Sequence, residues 1–248
     1  LFAYTVPVAA LVSVLSSGML TFTAPLYTFL LIPILELLLK SMESSQDERS
    51  HDSNLKNLFF DFLLYLNIPF VFSVLGLGLY VLATENLLTH EYVGISLSLG
   101  ILLATNAINV AHELGHRESL FERSLSKLLL LPCLYMHFYL EHNFGHHKNV
   151  ATPLDPATAK LNQPVYHFWL TSVSQQYFNA WKIQMILLKQ HHRGFLSSKN
   201  DMLFYTFFQL LYLSLIVVIL GWNALFFAVC IGVMSFLFLE TINYLEHY

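Results

Sequence analysis

Three short stretches hold the residues best suited to chemistry: His112-Glu-Leu-Gly-His116, Glu141-His142-Asn-Phe-Gly-His146-His147 and Glu246-His247. Two histidines four residues apart on a helix share one face, close enough to bind one metal ion together. His112 and His116 have that spacing, and His142 and His146 repeat it. His147 would be rotated roughly 100° from His146 on a continuing helix, so it is expected to face a second ion. Gly145 removes a side chain beside this cluster. His112, His116, His142, His146, His147 and His247 are therefore the candidate metal ligands. Neutral imidazole suits iron, zinc and copper alike, so ligand type alone does not choose the metal.

Carboxylates beside such ligands can hold the free ring nitrogen and fix its tautomer. Glu113, Glu141 and Glu246 are placed for that, and Asp155 comes after the second cluster on a proline-stiffened loop, Ala-Thr-Pro-Leu-Asp-Pro. For Asp155 a local turn role competes with support of a ligand. His137 is a further supporting candidate. His51, His90, His167, His191 and His192 read as non-ligands. Cys133 and Cys230 sit in apolar runs without a C-x-x-C partner and read as small hydrophobes.

Taken alone, His112-Glu-Leu-Gly-His116 matches the H-E-x-x-H zinc peptidase motif, with Glu113 as general base. A zinc peptidase needs only one more protein ligand. That reading leaves His142, His146, His147 and His247 mostly unexplained. A divalent-metal transporter would place its site near the bilayer midplane on broken helices, whereas these clusters lie past helix ends. A ferritin-like carboxylate di-iron site needs two Glu-x-x-His pairs, and only Glu113/His116 fits.

The elements carrying these clusters are apolar. Hydrophobic residues make up 56% of the 248 and charged residues 11%, against about 25% charged in a soluble domain. The chain reads as an all-α polytopic membrane protein with about six transmembrane helices. They run from about Phe2 to Leu20, Leu26 to Leu39, Leu58 to Leu82, Tyr92 to Val110, Met202 to Leu220 and Ala224 to Tyr244. Ser16-Ser17-Gly18 and Pro25 break the first apolar run. The stretch from Lys40 to Lys56 reads as a polar loop. Leu128 to Leu140 is apolar but too short to span, and reads as a re-entrant or surface-lying piece. Trp169, Val173, Tyr177, Trp181 and Met185 recur every four residues, as in an amphipathic helix at the interface.

All twelve Lys and Arg residues fall in the loops after the second and fourth spans. The positive-inside rule makes that side cytoplasmic, and the histidine clusters share it. The chain has no initiator Met, opens inside an apolar run and stops just after His247, so it reads as a single membrane domain over 1–248, cut at both ends.

The three histidine stretches, with Lys148-Asn-Val-Ala-Thr-Pro-Leu-Asp155-Pro and Asn243-Tyr-Leu-Glu-His247-Tyr, closely resemble the membrane-bound alkane 1-monooxygenases. Their wider superfamily includes xylene monooxygenases and membrane fatty-acid desaturases and hydroxylases. The His142 cluster with its Ala-Thr-Pro-Leu-Asp-Pro tail favours the alkane branch. The resemblance implies two non-haem irons held mainly by histidine. It implies insertion of one atom of O2 into a terminal methyl C–H bond, with electrons from rubredoxin and its reductase. The alkane would enter from a bacterial inner membrane, and no nucleic-acid partner is expected. The family carries a final His-x-x-His-His box after the sixth span. This chain reaches Tyr248 before one, so part of an enzyme is expected. Residues 117 to 199 carry nine basic and four acidic side chains. That excess would suit an acidic donor protein, although topology alone can account for it.

Overall fold

The computed structural model describes residues 2–39 and 58–246. Among them every regular element is helical. We number the helices α1 (Thr5–Leu15), α2 (Gly18–Leu39), α3 (Leu58–Thr84), α4 (Thr89–Gly115), α5 (Leu120–Leu130), α6 (138–149), α7 (Val165–Gln190), α8 (Asp201–Leu220) and α9 (Trp222–Glu246). Among the described residues, α2, α3, α4, α8 and α9 are long and apolar enough to cross a membrane.

The first apolar segment is shorter than the sequence leads one to expect. α1 has 11 residues, about 16 Å at 1.5 Å per residue, against a hydrocarbon core of about 30 Å. It stops at Leu15 because Ser16 is extended and Gly18 adopts φ +62°, a backbone conformation that glycine enters without steric cost. The chain reverses there, and α2 runs on from Gly18. The reversal is anchored by Glu91, whose carboxylate accepts hydrogen bonds from Gly18 N (2.5 Å) and Leu88 N (2.7 Å). One buried carboxylate thus caps α4 and holds the α1–α2 turn. The polar loop from Lys40 to Lys56 lies outside the described residues.

α4 is the central helix. It packs against α1, α2, α3 and α9, and 67% of its apolar window is buried, against 11% for α8 and 6% for α2. Close approach to α3 depends on Gly78, where a Cβ would meet Leu99 Cδ1 at 2.6 Å, the small-residue contact by which apolar helices pack without a hydrophobic driving force between them. Asn67 and Asn106 hydrogen-bond each other across the same helix pair (2.7 and 2.9 Å). Asn106 lies in a π-helical turn, Leu103–Ile108, just before the first histidine stretch. Such turns insert an extra residue and re-aim the side chains beyond them.

The short apolar piece after α5 turns back into the protein. Residues 131–137 form turns in which Leu134 has φ 53°. They press on Gly232 of α9, where a Cβ would meet Pro132 O and Leu134 Cγ at 3.0 Å. Cys133, Tyr135, Met136 and Phe138 are buried. Irregular backbone at this depth of α9 has protein, not lipid, around it, as a re-entrant piece requires.

α7 carries the expected aromatic stripe on its outward side. Its buried positions are Phe168, Ser172, Gln176, Ala180, Gln184 and Leu188. The stripe expected from Trp169, Val173, Tyr177, Trp181 and Met185 is half-buried to exposed, one residue round the helix. The face turned inward is partly polar because it meets buried groups that need partners, Glu240 above all.

Candidate metal centre

Four imidazoles meet where α4 ends and α6 begins. The Nε2 atoms of His112 and His116 are 3.1 Å apart, those of His116 and His142 3.3 Å, His116 and His147 3.3 Å, and His142 and His147 2.9 Å. One ligand atom from each of the four lies within 4.8 Å of every other. A tetrahedral ion with metal–nitrogen bonds of about 2.1 Å separates its ligands by about 3.4 Å, so this donor set has the spacing to hold one ion. Shared protons alone cannot satisfy four nitrogens pointed at one centre.

The second stretch folds differently from the expected α-helix. Residues His142–His146 form a π-helical turn, with i→i+5 bonds in place of i→i+4. The wider turn swings position i+5 round toward position i. His147, expected to face away, is brought beside His142, and His146 is the ring that stands outside the group of four. His146 is instead oriented by Asp155, whose Oδ2 lies 3.0 Å from Nδ1. As a carboxylate Asp155 accepts, so Nδ1 carries the proton and Nε2 is the ring's lone-pair nitrogen. Thr158 Oγ1 and Ala157 N also donate to Asp155. Burial pulls the Asp155 pKa upward, and these hydrogen bonds outweigh it and hold the group below its usual range. The His146 ring is correspondingly raised by its bond to Asp155.

His142 and His147 are held neutral. Burial, then the neighbouring imidazoles, push His142 down to about 2. Burial and His116 lower His147. A neutral imidazole offers its lone pair to a metal without first losing a proton.

A cavity of about 500 Å³ adjoins the cluster, lined by His112, His142, His146 and His147 on one side and by Ile108, Phe138, Leu239 and Ile242 on another. Glu141 also lines it. This side chain is buried, and burial pushes its pKa up to about 7. Gly145 gives it room, since a Cβ there would stand 2.7 Å from Glu141 Oε1.

The other sequence candidates are not among the four rings. Glu113 is more than half exposed and pairs with Arg117 at 3.2 Å; it makes no hydrogen bond to a histidine among the described residues. Arg117 also binds Asp61 (2.7 Å) and Glu122 (3.2 Å). Glu246 lines the cavity. His247 lies outside the described residues. His137 is buried against Tyr135 and Tyr177, its Nε2 has no hydrogen-bond partner, and burial lowers it to about 3.

Sequence reasoning missed Glu240. It is fully buried in α9 and accepts hydrogen bonds from Ser172 Oγ (2.6 Å), Gln176 Nε2 (2.9 Å) and Tyr135 Oη (3.1 Å). Gln176 in turn lines the histidine cavity. A lone carboxylate within an apolar run was the available signal.

A family model described as fatty acid desaturase matches residues 90–248, which contain all of the histidine stretches. The chain belongs to the fatty acid desaturase family. Among curated proteins it is similar to alkane 1-monooxygenase 1 of Alcanivorax borkumensis, 29% identical over 218 residues, or 88% of this chain and 54% of that protein. The alkane 1-monooxygenase of Pseudomonas putida is 29% identical over 217 residues, with the same two coverages. A xylene/toluene monooxygenase hydroxylase component of Pseudomonas putida is 27% identical over 194 residues, 77% of this chain and 52% of that protein. The chain spans about half the length of the curated relatives it matches. The relatives it resembles are thus monooxygenases by name, and the family match runs from residue 90 in α4 through α9.

Proposed function

We propose that this chain belongs to a non-haem di-iron monooxygenase that hydroxylates the terminal methyl of alkanes to primary alcohols. The observation that carries the reading is the convergence of four imidazoles beside an apolar-walled cavity. His112, His116, His142 and His147 would hold one iron, and His146, His247 and the carboxylate Glu246 would serve a second. Bound iron would supply the reduction of O2 by two electrons and the insertion of one oxygen atom into a C–H bond, the other leaving as water with two protons. The chain's own groups do the rest. Ile108, Phe138, Leu239 and Ile242 offer an alkyl chain about 0.8 kcal/mol per buried methylene and keep water from its end. Asp155 fixes the His146 ring. Glu141, with its pKa near neutrality, can hold a proton at the cavity wall.

The electron donor in this reading is rubredoxin with its reductase, meeting the basic face of residues 117–199. The protein would sit in a bacterial inner membrane with the histidines toward the cytoplasm, on the strength of the positive-inside pattern. The peptidase alternative draws little from the site, because Glu113 is engaged by Arg117 rather than placed at the four rings.

The complete gene product, in membranes with reduced rubredoxin, an alkane and labelled O2, should yield 1-alcohol carrying one labelled atom, and should contain iron. An alkene product would move the reading to the desaturases. A single zinc with no iron would overturn it.

A further inference from the structure

On the far side of α6 from the histidines is a second cavity, of about 660 Å³, among α5, α6, α7 and the start of α8. Arg123, Lys127, Arg193 and Lys199 line it, with His191, and the single acid among its lining residues is Asp201. Asp201 is already engaged, 2.7 Å from Lys127 Nζ. Arg123 Nε donates to Arg117 O, and no carboxylate partner of Arg123, Arg193 or Lys199 occurs among the described residues. Among the described residues the lining of the cavity therefore carries a net positive charge.

A groove of about 400 Å³ shares a wall with it, through Ser124, Lys127 and Asp201. Its remaining lining is Leu128, Leu131, Met136, Phe204, Tyr205 and Phe208. Phe204 and Phe208 are both exposed. Asp201 is the first residue of the spanning helix α8, so it marks the depth at which that helix enters the apolar layer. Phe208 lies seven residues further, about 10 Å down the helix axis. A basic chamber at the entry level thus abuts an apolar groove that descends along the span.

We propose that these two spaces form one site for an anionic glycerophospholipid. Its phosphate sits among Arg123, Arg193 and Lys199, and an acyl chain lies along Leu128, Phe204 and Phe208. Lys127, over the rings of Tyr139 and Tyr205 at 4.7 and 5.4 Å, holds the boundary between the two halves. The polarity gradient distinguishes a lipid from other anions: free phosphate leaves the groove unfilled, and an acidic protein face presents no chain to enter it. Charge distinguishes phosphatidylglycerol from phosphatidylcholine, because only the former brings a net negative charge to the three cations Arg123, Arg193 and Lys199.

The test is native mass spectrometry of the detergent-purified full chain titrated with phosphatidylglycerol or phosphatidylcholine. Phosphatidylglycerol should be retained and phosphatidylcholine retained far less. Removing each of two cations, in Arg123→Gln/Lys199→Gln, should weaken phosphatidylglycerol roughly fivefold per charge, the worth of about one surface cation. Arg123→Lys should keep binding, and exposed Lys199→Gln alone reads the effect where the double variant does not fold. Phe204→Ala/Phe208→Ala should weaken binding as well. Equal retention of the two lipids overturns the proposal, as does unchanged phosphatidylglycerol binding in the charge variants. Displacement of the lipid by inorganic phosphate at equal concentration, or binding indifferent to the Phe204/Phe208 change, would assign the site to a headgroup alone and overturn it too.

Discussion

The Nε2 atoms of His142 and His147 lie 2.9 Å apart although five residues separate them in sequence. In an α-helix that offset points the two rings in different directions, and the π-helical turn His142–His146 brings them together edge to face. The turn therefore decides which histidines share an ion. His147→Ala should cost the four-ring group a ligand and lower bound metal at limiting metal, measured by elemental analysis of purified protein. His191→Ala, which alters a ring outside the cluster, should leave metal content unchanged. Equal metal in His147→Ala and the unmodified protein would mean that the four rings do not act as a ligand set.

Asp155 reaches His146 at 3.0 Å and fixes which ring nitrogen carries the proton. Asp155→Asn keeps the size but can present its amide N–H to Nδ1, favouring the other tautomer. Loss of such an orienting partner typically weakens metal binding about 10- to 100-fold. We expect that range for the metal that His146 serves, with the helix content by circular dichroism unchanged. Affinity within twofold of the unmodified protein would reduce Asp155 to a turn residue.

The spacing of His112 and His116, the apolar spans α3, α4, α8 and α9, and the re-entrant character of residues 128–140 were legible in the sequence, because each rests on composition or on a period that a helix imposes. The partner of His142 was not. A π turn differs from an α turn by one residue, and nothing in His-Asn-Phe-Gly-His-His distinguishes the two before packing does. The inward face of α7 was not legible for a related reason. Trp169, Tyr177 and Trp181 make the larger apolar stripe, yet Ser172 and Gln176 turn inward because Glu240 needs donors. Pairing between buried polar groups is a tertiary fact, and periodicity of hydrophobicity cannot register it.

Acid should release the metal late. Burial and neighbouring rings hold His142 near 2, and the same causes lower His147. A ring with a depressed pKa stays neutral as pH falls, so protons begin to compete for its lone pair only below the ordinary histidine range of about 6.5. Metal retained after equilibration against a chelator-free buffer series should therefore still be near its neutral-pH level at pH 6. Half-release at or above pH 6.5 would contradict the neutral, desolvated cluster.

Glu240 tests whether the packing behind the cavity needs a carboxyl acceptor. Ser172, Gln176 and Tyr135 all donate to it, from two other segments of the chain, so its carboxylate ties α7 and the re-entrant turn to α9. Glu240→Gln keeps the volume but replaces one acceptor oxygen with a donor group, setting N–H against N–H or O–H. An unsatisfied buried polar group costs about 1–3 kcal/mol, and each kcal/mol lowers the melting temperature of a chain this size by about 2–4 °C. Glu240→Gln should show that loss, and Gln176→Glu combined with it should restore part of it by returning an acceptor to the pair. Because Gln176 also lines the histidine cavity, the single variant should weaken metal retention alongside stability. A melting temperature unchanged by Glu240→Gln would show that the carboxylate's acceptor role is dispensable, and the double variant would then have nothing to restore.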